Sequence, residues 1–294
     1  MKKQFIVLAA LLSVAIGASA QKQYKLSKSS GQLNLNIPGA IVEGYSGNEI
    51  IFSLPKNENE IVDERAKGLR VITASGFVDN TGLGIDVSEK GTEINVNAVN
   101  KRIDGIISIK VPQNIKITFL NKSNIYQEEI ILKNLKNEIE VSTSYNKIKL
   151  ENNTGPMNIK SLYGTIDATF ADVIKGPVSI VSVYGHVDVS LPANVKANVD
   201  LSTSFGKIYA ADELKIAIDK QVADDKSDVT GIGRPANSQL TVAGVKSATG
   251  TINTVRGLAV YGGRSSEDIK GKINGGGSDF ILKSNYQNVY LRVK

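Results

Sequence analysis

The chain of 294 residues has no cysteine, no tryptophan and a single histidine, His186. Without cysteine there is no disulfide, no thiolate metal site, no thiol nucleophile and no cysteine to carry a lipid behind a leader. The core must hold the molecule unaided, and a chain of this length buries enough surface to do so. One histidine leaves no His/Cys set for a transition metal, and no cofactor is expected. No run of five or six like charges occurs, so nothing marks a nucleic-acid-binding tail. The one long apolar run is N-terminal: "FIVLAALLSVAIGA" follows Lys2 and Lys3 and precedes Ala18-Ser19-Ala20. It falls short of the roughly 20 apolar residues a membrane span needs. It reads as a signal peptide over 1–20, with Gln21 opening the mature chain, rather than as an uncleaved anchor. The expected location is exported: periplasm, cell surface or outside, with no transmembrane segment in 21–294.

Formal net charge is +6, falling to +4 once Lys2 and Lys3 leave with the leader. A mildly basic surface leans toward an anionic envelope or acidic glycans.

Period-two alternation dominates what is present. "QLNLNI", "ISIKV", "NIKITF", "EIEVSTS" and "KIKLEN" each read as half-buried strands, separated by breaks such as "NNTG" and "NGGGS". Residues 57–70 read as a charged loop or short helix, and 220–239 as a polar surface loop. Aligning on aromatics gives five copies of one unit: "IEVSTSYNKIKL", "MNIKSLYGTIDA", "VSIVSVYGHVDV", "VDLSTSFGKIYA" and "FILKSNYQNVYL". Their aromatics are Tyr145, Tyr163, Tyr184, Phe205 and Tyr286. Apolar residues fill the columns six and four before the aromatic and three and five after it. Ser or Thr fills the column two before. The parity changes between the two halves, so each unit is two short strands joined at a corner. Gly164, Gly185, Gly206 and Asn146 follow the aromatics and suit a left-handed bend there; Gln287 breaks the pattern.

A unit this short cannot bury its own face, so stacking must build the core. The expected fold is all-β: a single-domain β-solenoid or β-helix-like stack of short strands over 21–294, with a β-sandwich as the alternative. The Ser/Thr column predicts a ladder of hydroxyls bonding along the stack.

The stretches "GQLNLNIPGAIVEGYSGNEIIF", "GLGIDVSEKGTEINV", "STSYNKIKLENNTGPMNIKSLYGTIDA" and "INGGGSDFILKSNYQNVYLRV" resemble the DUF4097 putative-adhesin family of secreted bacterial β-strand repeat proteins. The resemblance spans nearly the whole mature chain. Family members often carry Asn-Gly at the corner, where this chain has Tyr-Gly. It implies a repeat β fold and an adhesive role, and it brings no catalytic residues.

His186 precedes the inward Val187 and so faces outward, in a column with Lys147, Thr165, Lys207 and Asn288. Ser182, Asp188 and Ser190 lie near it in sequence, yet nothing builds an oxyanion hole, so no Ser-His-Asp catalysis is expected. Asp167 and Asp188 share a column on successive copies, about 4.8 Å apart. That approaches the roughly 5–5.5 Å carboxylate separation of retaining glycosidases, and Lys149 in the same column would screen them. The same two carboxylates could hold Ca²⁺, although the dense Asp/Asn loop of a calcium site is missing. The glycines of "TGIGRP" and "NGGGS" precede no helix and read as turns. Corner aromatics share parity with the inward positions, which predicts packing. Tipped outward, Tyr145, Tyr163, Tyr184, Phe205 and Tyr286 would instead form a partner-binding strip. The closing copy should leave an exposed sheet end. Together these features favour a non-catalytic envelope or secreted module, adhesive or structural, with a glycan or protein partner. A polysaccharide hydrolase or lyase using Asp167 and Asp188 is one alternative; an envelope-stress scaffold or regulator is another.

Overall fold

The computed structural model describes residues 21–55, 64–99, 105–219 and 267–294. The leader 1–20 and the polar loop 220–239 lie outside these residues. Of 57–70, the described part contains only a 3-10 turn, Glu64–Ala66. Among the described residues no helix is long and apolar enough to cross a membrane.

The fold is all-β, with a ten-stranded and an eleven-stranded sheet, neither closed into a barrel. Most of the strands come in pairs that form rungs, one strand in each sheet. In order along the stack, rung 1 is Glu93–Ala98 with Ser108–Pro112, and rung 2 is Ser30–Asn36 with Ala40–Tyr45. Rung 3 is Asn114–Asn121 with Ile130–Lys133, and rung 4 is Ile139–Thr143 with Ile148–Asn153. Rung 5 is Met157–Ser161 with Ile166–Phe170, and rung 6 is Val178–Ser182 with Val187–Leu191. Rung 7 is Ser278–Ser284 with Val289–Val293, and rung 8 is Ala197–Thr203 with Ile208–Ala210. Neighbouring rungs pair in parallel and in register, so like residues stack on like: Ile139 on Met157, Val141 on Ile159, Ile148 on Ile166. Buried residues of both sheets merge into one cluster, including Ile117, Phe119, Ile159, Ile180, Phe280 and Leu291. This is the predicted solenoid.

Rung order is not chain order. The closing copy does not end the stack; it lies between rungs 6 and 8, paired in parallel on both sides. The chain steps over this slot through residues 192–196, and Asn274 clamps the step by donating to the carbonyls of Ala193 and Val195. A strand at Glu267–Ile273, antiparallel to rung 8, brings the chain back to the slot. Rung 2 is likewise inserted between rungs 1 and 3. Antiparallel strands close the stack near both ends: Ile85–Lys90 and Ile50–Pro55 against rung 1, and Glu267–Ile273 against rung 8. Among the described residues, the sheet end that no antiparallel strand covers is Ile208–Ala210, an edge of three residues. Short edges limit strand addition from other chains.

Candidate functional site

The corner between the two strands of each rung is built by the Ser/Thr column. These side chains are buried, Ser161, Ser182 and Ser284 to 1% exposure. They do not form the expected hydroxyl ladder. Four of the five serve the corner backbone instead: Ser161 Oγ accepts from the Gly164 N–H, and Ser182 Oγ accepts from the Gly185 N–H at 2.9 Å and donates to the Gly164 carbonyl of the rung before at 2.8 Å. Ser284 repeats this with the Gln287 N–H and the Gly185 carbonyl, and Thr203 with Gly206 and Gln287. Only Thr143 and Ser161 meet hydroxyl to hydroxyl, at a long 3.5 Å. One carbonyl and one N–H per corner would otherwise be buried without a partner, which costs more than a missing hydroxyl–hydroxyl bond.

The corner glycines also have a different cause from the one expected. Among the described residues positive φ occurs at ten other glycines, not at Gly164, Gly185 or Gly206. What excludes a side chain is the neighbouring rung. A Cβ at Gly164 would stand 1.8 Å from the Asn146 carbonyl oxygen, and one at Gly185 2.2 Å from that of Gly164. Asn146 closes the series by burying its amide, which donates to the carbonyls of Pro38 and Glu128.

The aromatics point outward, contrary to the packing expectation. Parity holds only within a strand, and each strand ends at the Ser/Thr residue two positions earlier. Beyond it the backbone bends, so the ring swings out of the core. Tyr145, Tyr163, Tyr184, Tyr286 and Phe205 form one ladder in rung order, with centroids 4.5, 4.7, 4.6 and 4.9 Å apart and planes within 12°. All five are exposed, from 38% at Tyr145 to 57% at Phe205. The backbone fixes their spacing, because the Tyr163, Tyr184 and Tyr286 N–H groups bond to carbonyls of the rung before.

His186 lies outward, as expected, between Thr165 and Asn288 rather than between Thr165 and Lys207, because rung 7 intervenes. Its Nε2 is 3.0 Å from Asp167 Oδ1. Ser182 is turned into the corner, so the three residues do not form a triad. Asp167 and Asp188 are adjacent, with Lys149 beside Asp167 in the same column. Both carboxylates are occupied. Asp167 also has Lys147 Nζ at 3.8 Å. Asp188 takes a bidentate grip from Arg292, with Nε–Oδ1 and Nη2–Oδ2 distances of 2.8 and 2.9 Å. That hydrogen bond and the charge behind it hold the Arg292 guanidinium above its ordinary pKa. A retaining glycosidase needs a carboxylate free to attack, and here Asp188 is gripped by Arg292 while Asp167 meets His186 and Lys147. Among the described residues no acidic or histidine cluster could hold a metal ion.

Two features escaped sequence reasoning. Tyr209 and Tyr290 stack at 5.3 Å on the outward face, and the Arg292 guanidinium lies 5.2 Å from the Tyr290 ring centre. Tyr209 and Tyr290 already share a column in the repeat alignment, so that pair was findable. Arg292 against Asp188 was not, because it depends on rung 7 lying next to rung 6.

No family model matches the sequence, and neither does any curated protein. Among solved structures the chain is similar to a crystal structure described as a putative cell adhesion protein from Clostridium sporogenes ATCC 15579. Identity is 12%, over 93% of this chain and 100% of that one, with a TM-score of 0.39. A superposition this loose carries neither fold nor function, and the adhesin resemblance stays with the motifs that suggested it.

Proposed function

We propose that this chain is an exported, non-catalytic repeat module of the cell envelope or its exterior, one domain behind a 20-residue leader. Its task is to hold an envelope glycan or protein along the corner ridge of Tyr145, Tyr163, Tyr184, Tyr286 and Phe205. The observation that carries this is the ridge itself: five exposed rings in register on a stack whose spacing the backbone fixes. Exposed apolar surface of this regularity on a rigid frame is the usual mark of an interaction site. The neighbouring carboxylates, held by contacts to His186, Lys147 and Arg292, favour binding over bond cleavage.

The test is a glycan and envelope-protein array probed with the mature chain. Saturable binding should weaken in Tyr163→Ser and Tyr184→Ser variants that keep the wild-type circular dichroism. Binding indifferent to both substitutions would remove the ridge from consideration.

A further inference from the structure

We infer that the ridge takes an acidic linear polysaccharide lying along the stack axis; this rests on the ridge being the binding surface. Three observations converge on that ligand chemistry.

Ring faces are not available along most of the ridge. Tyr163, Tyr184 and Tyr286 each have a near-parallel ring on both sides at 4.9 Å or less. Sugars and nucleobases that dock on aromatics do so on faces, and here, among the described residues, only the outer faces of Tyr145 and Phe205 are unstacked. A partner approaching from the side meets ring edges, which carry the positive end of the ring quadrupole. It also meets phenol hydroxyls: those of Tyr145, Tyr163, Tyr184 and Tyr286 make no hydrogen bond to any described residue. Both features call for an electron-rich, acceptor-bearing partner.

Cations flank the ridge, and two of them make no ion pair with a described residue. On one side, Lys160 lies in the strand that leads to Tyr163, between Ser142 and Val181 of the adjacent rungs. On the other, exposed Lys207 follows Phe205 by two residues. Neither forms an ion pair with a described residue. Lys147 and Lys283, by contrast, are held by Glu129, Asp167 and Asp200. Exposed Glu128 and Glu140 lie toward rungs 3 and 4. At the other end exposed Glu267, beside Thr203, accepts from the Ile208 N–H. These acids leave a middle stretch around Tyr163, Tyr184 and Tyr286, with Lys207 and Glu267 together at the Phe205 end. A neutral glycan would leave these lysines unmatched, and a second copy of the ridge would set like charges against them. Single-stranded nucleic acid requires the stacked-over faces. A uronate polymer supplies carboxylates for the lysines and hydroxyl oxygens for the edges, repeated along a line.

The experiment is affinity electrophoresis of the mature chain through polygalacturonate, with alginate as a second uronate polymer, dextran as the neutral control and single-stranded DNA as the competing polyanion. Retardation is expected with at least one uronate polymer and not with dextran, weakening as salt rises. The Lys160→Gln/Lys207→Gln double variant should bind about two- to thirtyfold less tightly, as two exposed ion pairs warrant. A Tyr163→Phe/Tyr184→Phe/Tyr286→Phe variant keeps the stack and should also bind less well. Retention by neither uronate polymer, stronger binding to dextran or DNA, or indifference to the lysine variant overturns the inference. If Tyr184→Ser abolishes binding to a neutral or protein ligand while the uronates are ignored, the ridge stands and only its acidic ligand falls. If uronate binding is lost in the lysine variant but survives Tyr184→Ser and the phenylalanine variant, the ridge falls and the inference with it.

Discussion

Gly185→Ala is a test in which two physical effects predict opposite signs. Gly185 does not have positive φ, so alanine can adopt its backbone conformation. Restricting the unfolded chain alone would then stabilise the protein by about 0.4–1 kcal/mol. The stack opposes this. The added Cβ would stand 2.2 Å from the Gly164 carbonyl oxygen, 2.5 Å from its carbon and 2.8 Å from the Thr165 nitrogen, where ordinary contact begins near 3.4 Å. All three atoms are backbone, so no rotamer change relieves the overlap; the rungs must part by about an ångström. They are held at this point by Ser182 Oγ to the Gly164 carbonyl at 2.8 Å and by the Tyr184 N–H to the Leu162 carbonyl at 2.8 Å. Overpacking of this kind costs about 1–3 kcal/mol, and stretching one such bond adds about 1 kcal/mol. Set against the entropic gain, the variant should be less stable by about 1–3 kcal/mol. Urea unfolding followed by circular dichroism reads this as a lower midpoint with unchanged slope. A midpoint equal to or above wild type would show that close rung approach is not why glycine stands at the corner.

Ser182→Ala leaves the Gly185 N–H and the Gly164 carbonyl without their partner and should cost about 1–3 kcal/mol in the same assay. Tyr184 stacks on two rings and Tyr145 on one. At about 0.5–1.5 kcal/mol per stacked pair, Tyr184→Ala should therefore destabilise nearly twice as much as Tyr145→Ala, and equal losses would argue against the ladder. Phe280 is 1% exposed and packs edge-on against Phe170 at 5.4 Å. Phe280→Ala should cost about 3–5 kcal/mol, which calorimetry would register as a marked fall in Tm. Asp188→Asn breaks only an exposed pair with Arg292; a stability change of at most about 1 kcal/mol is expected, with no glycan cleavage to lose in either protein. Turnover by the wild type that disappears in this variant would restore the hydrolase reading.

The columns were legible because stacking demands them. Val141, Ile159, Ile180, Leu201 and Leu282 meet one another across rungs, and a polar residue in that row would be buried without a partner. Rungs 1 to 3 were legible only as strands. Their corners lack the aromatic on which the repeats align, although Ile117, Phe119 and Asn121 fall in register with Ile139, Val141 and Thr143. Ring direction was misjudged because alternation was counted through a bend. The corner chemistry was misjudged for a related reason. Column identity shows that a hydroxyl is needed at Ser182, but not whether its partner is another side chain or the peptide beside it.

Rung order could not be read at all, and the reason is physical. Rung 7 fits between rungs 6 and 8 because every rung presents the same two parallel edges, so local register does not distinguish one neighbour from another. Val178 pairs with Phe280, and Phe280 in turn with Val199; a direct Val178–Val199 pairing would satisfy the same rules. What selects the observed order lies outside the repeats. Asn274 clamps the stepping turn, and Asn198 donates to the Gly277 carbonyl and to Asp279 at the entry to rung 7. On the ridge the insertion has a direct consequence. It places Tyr286 between Tyr184 and Phe205, so the last residues of the chain complete a surface begun more than a hundred residues earlier. The ladder of four tyrosines and a phenylalanine is thus a property of the assembled stack, and the ridge proposed to bind is complete only once rung 7 is in place.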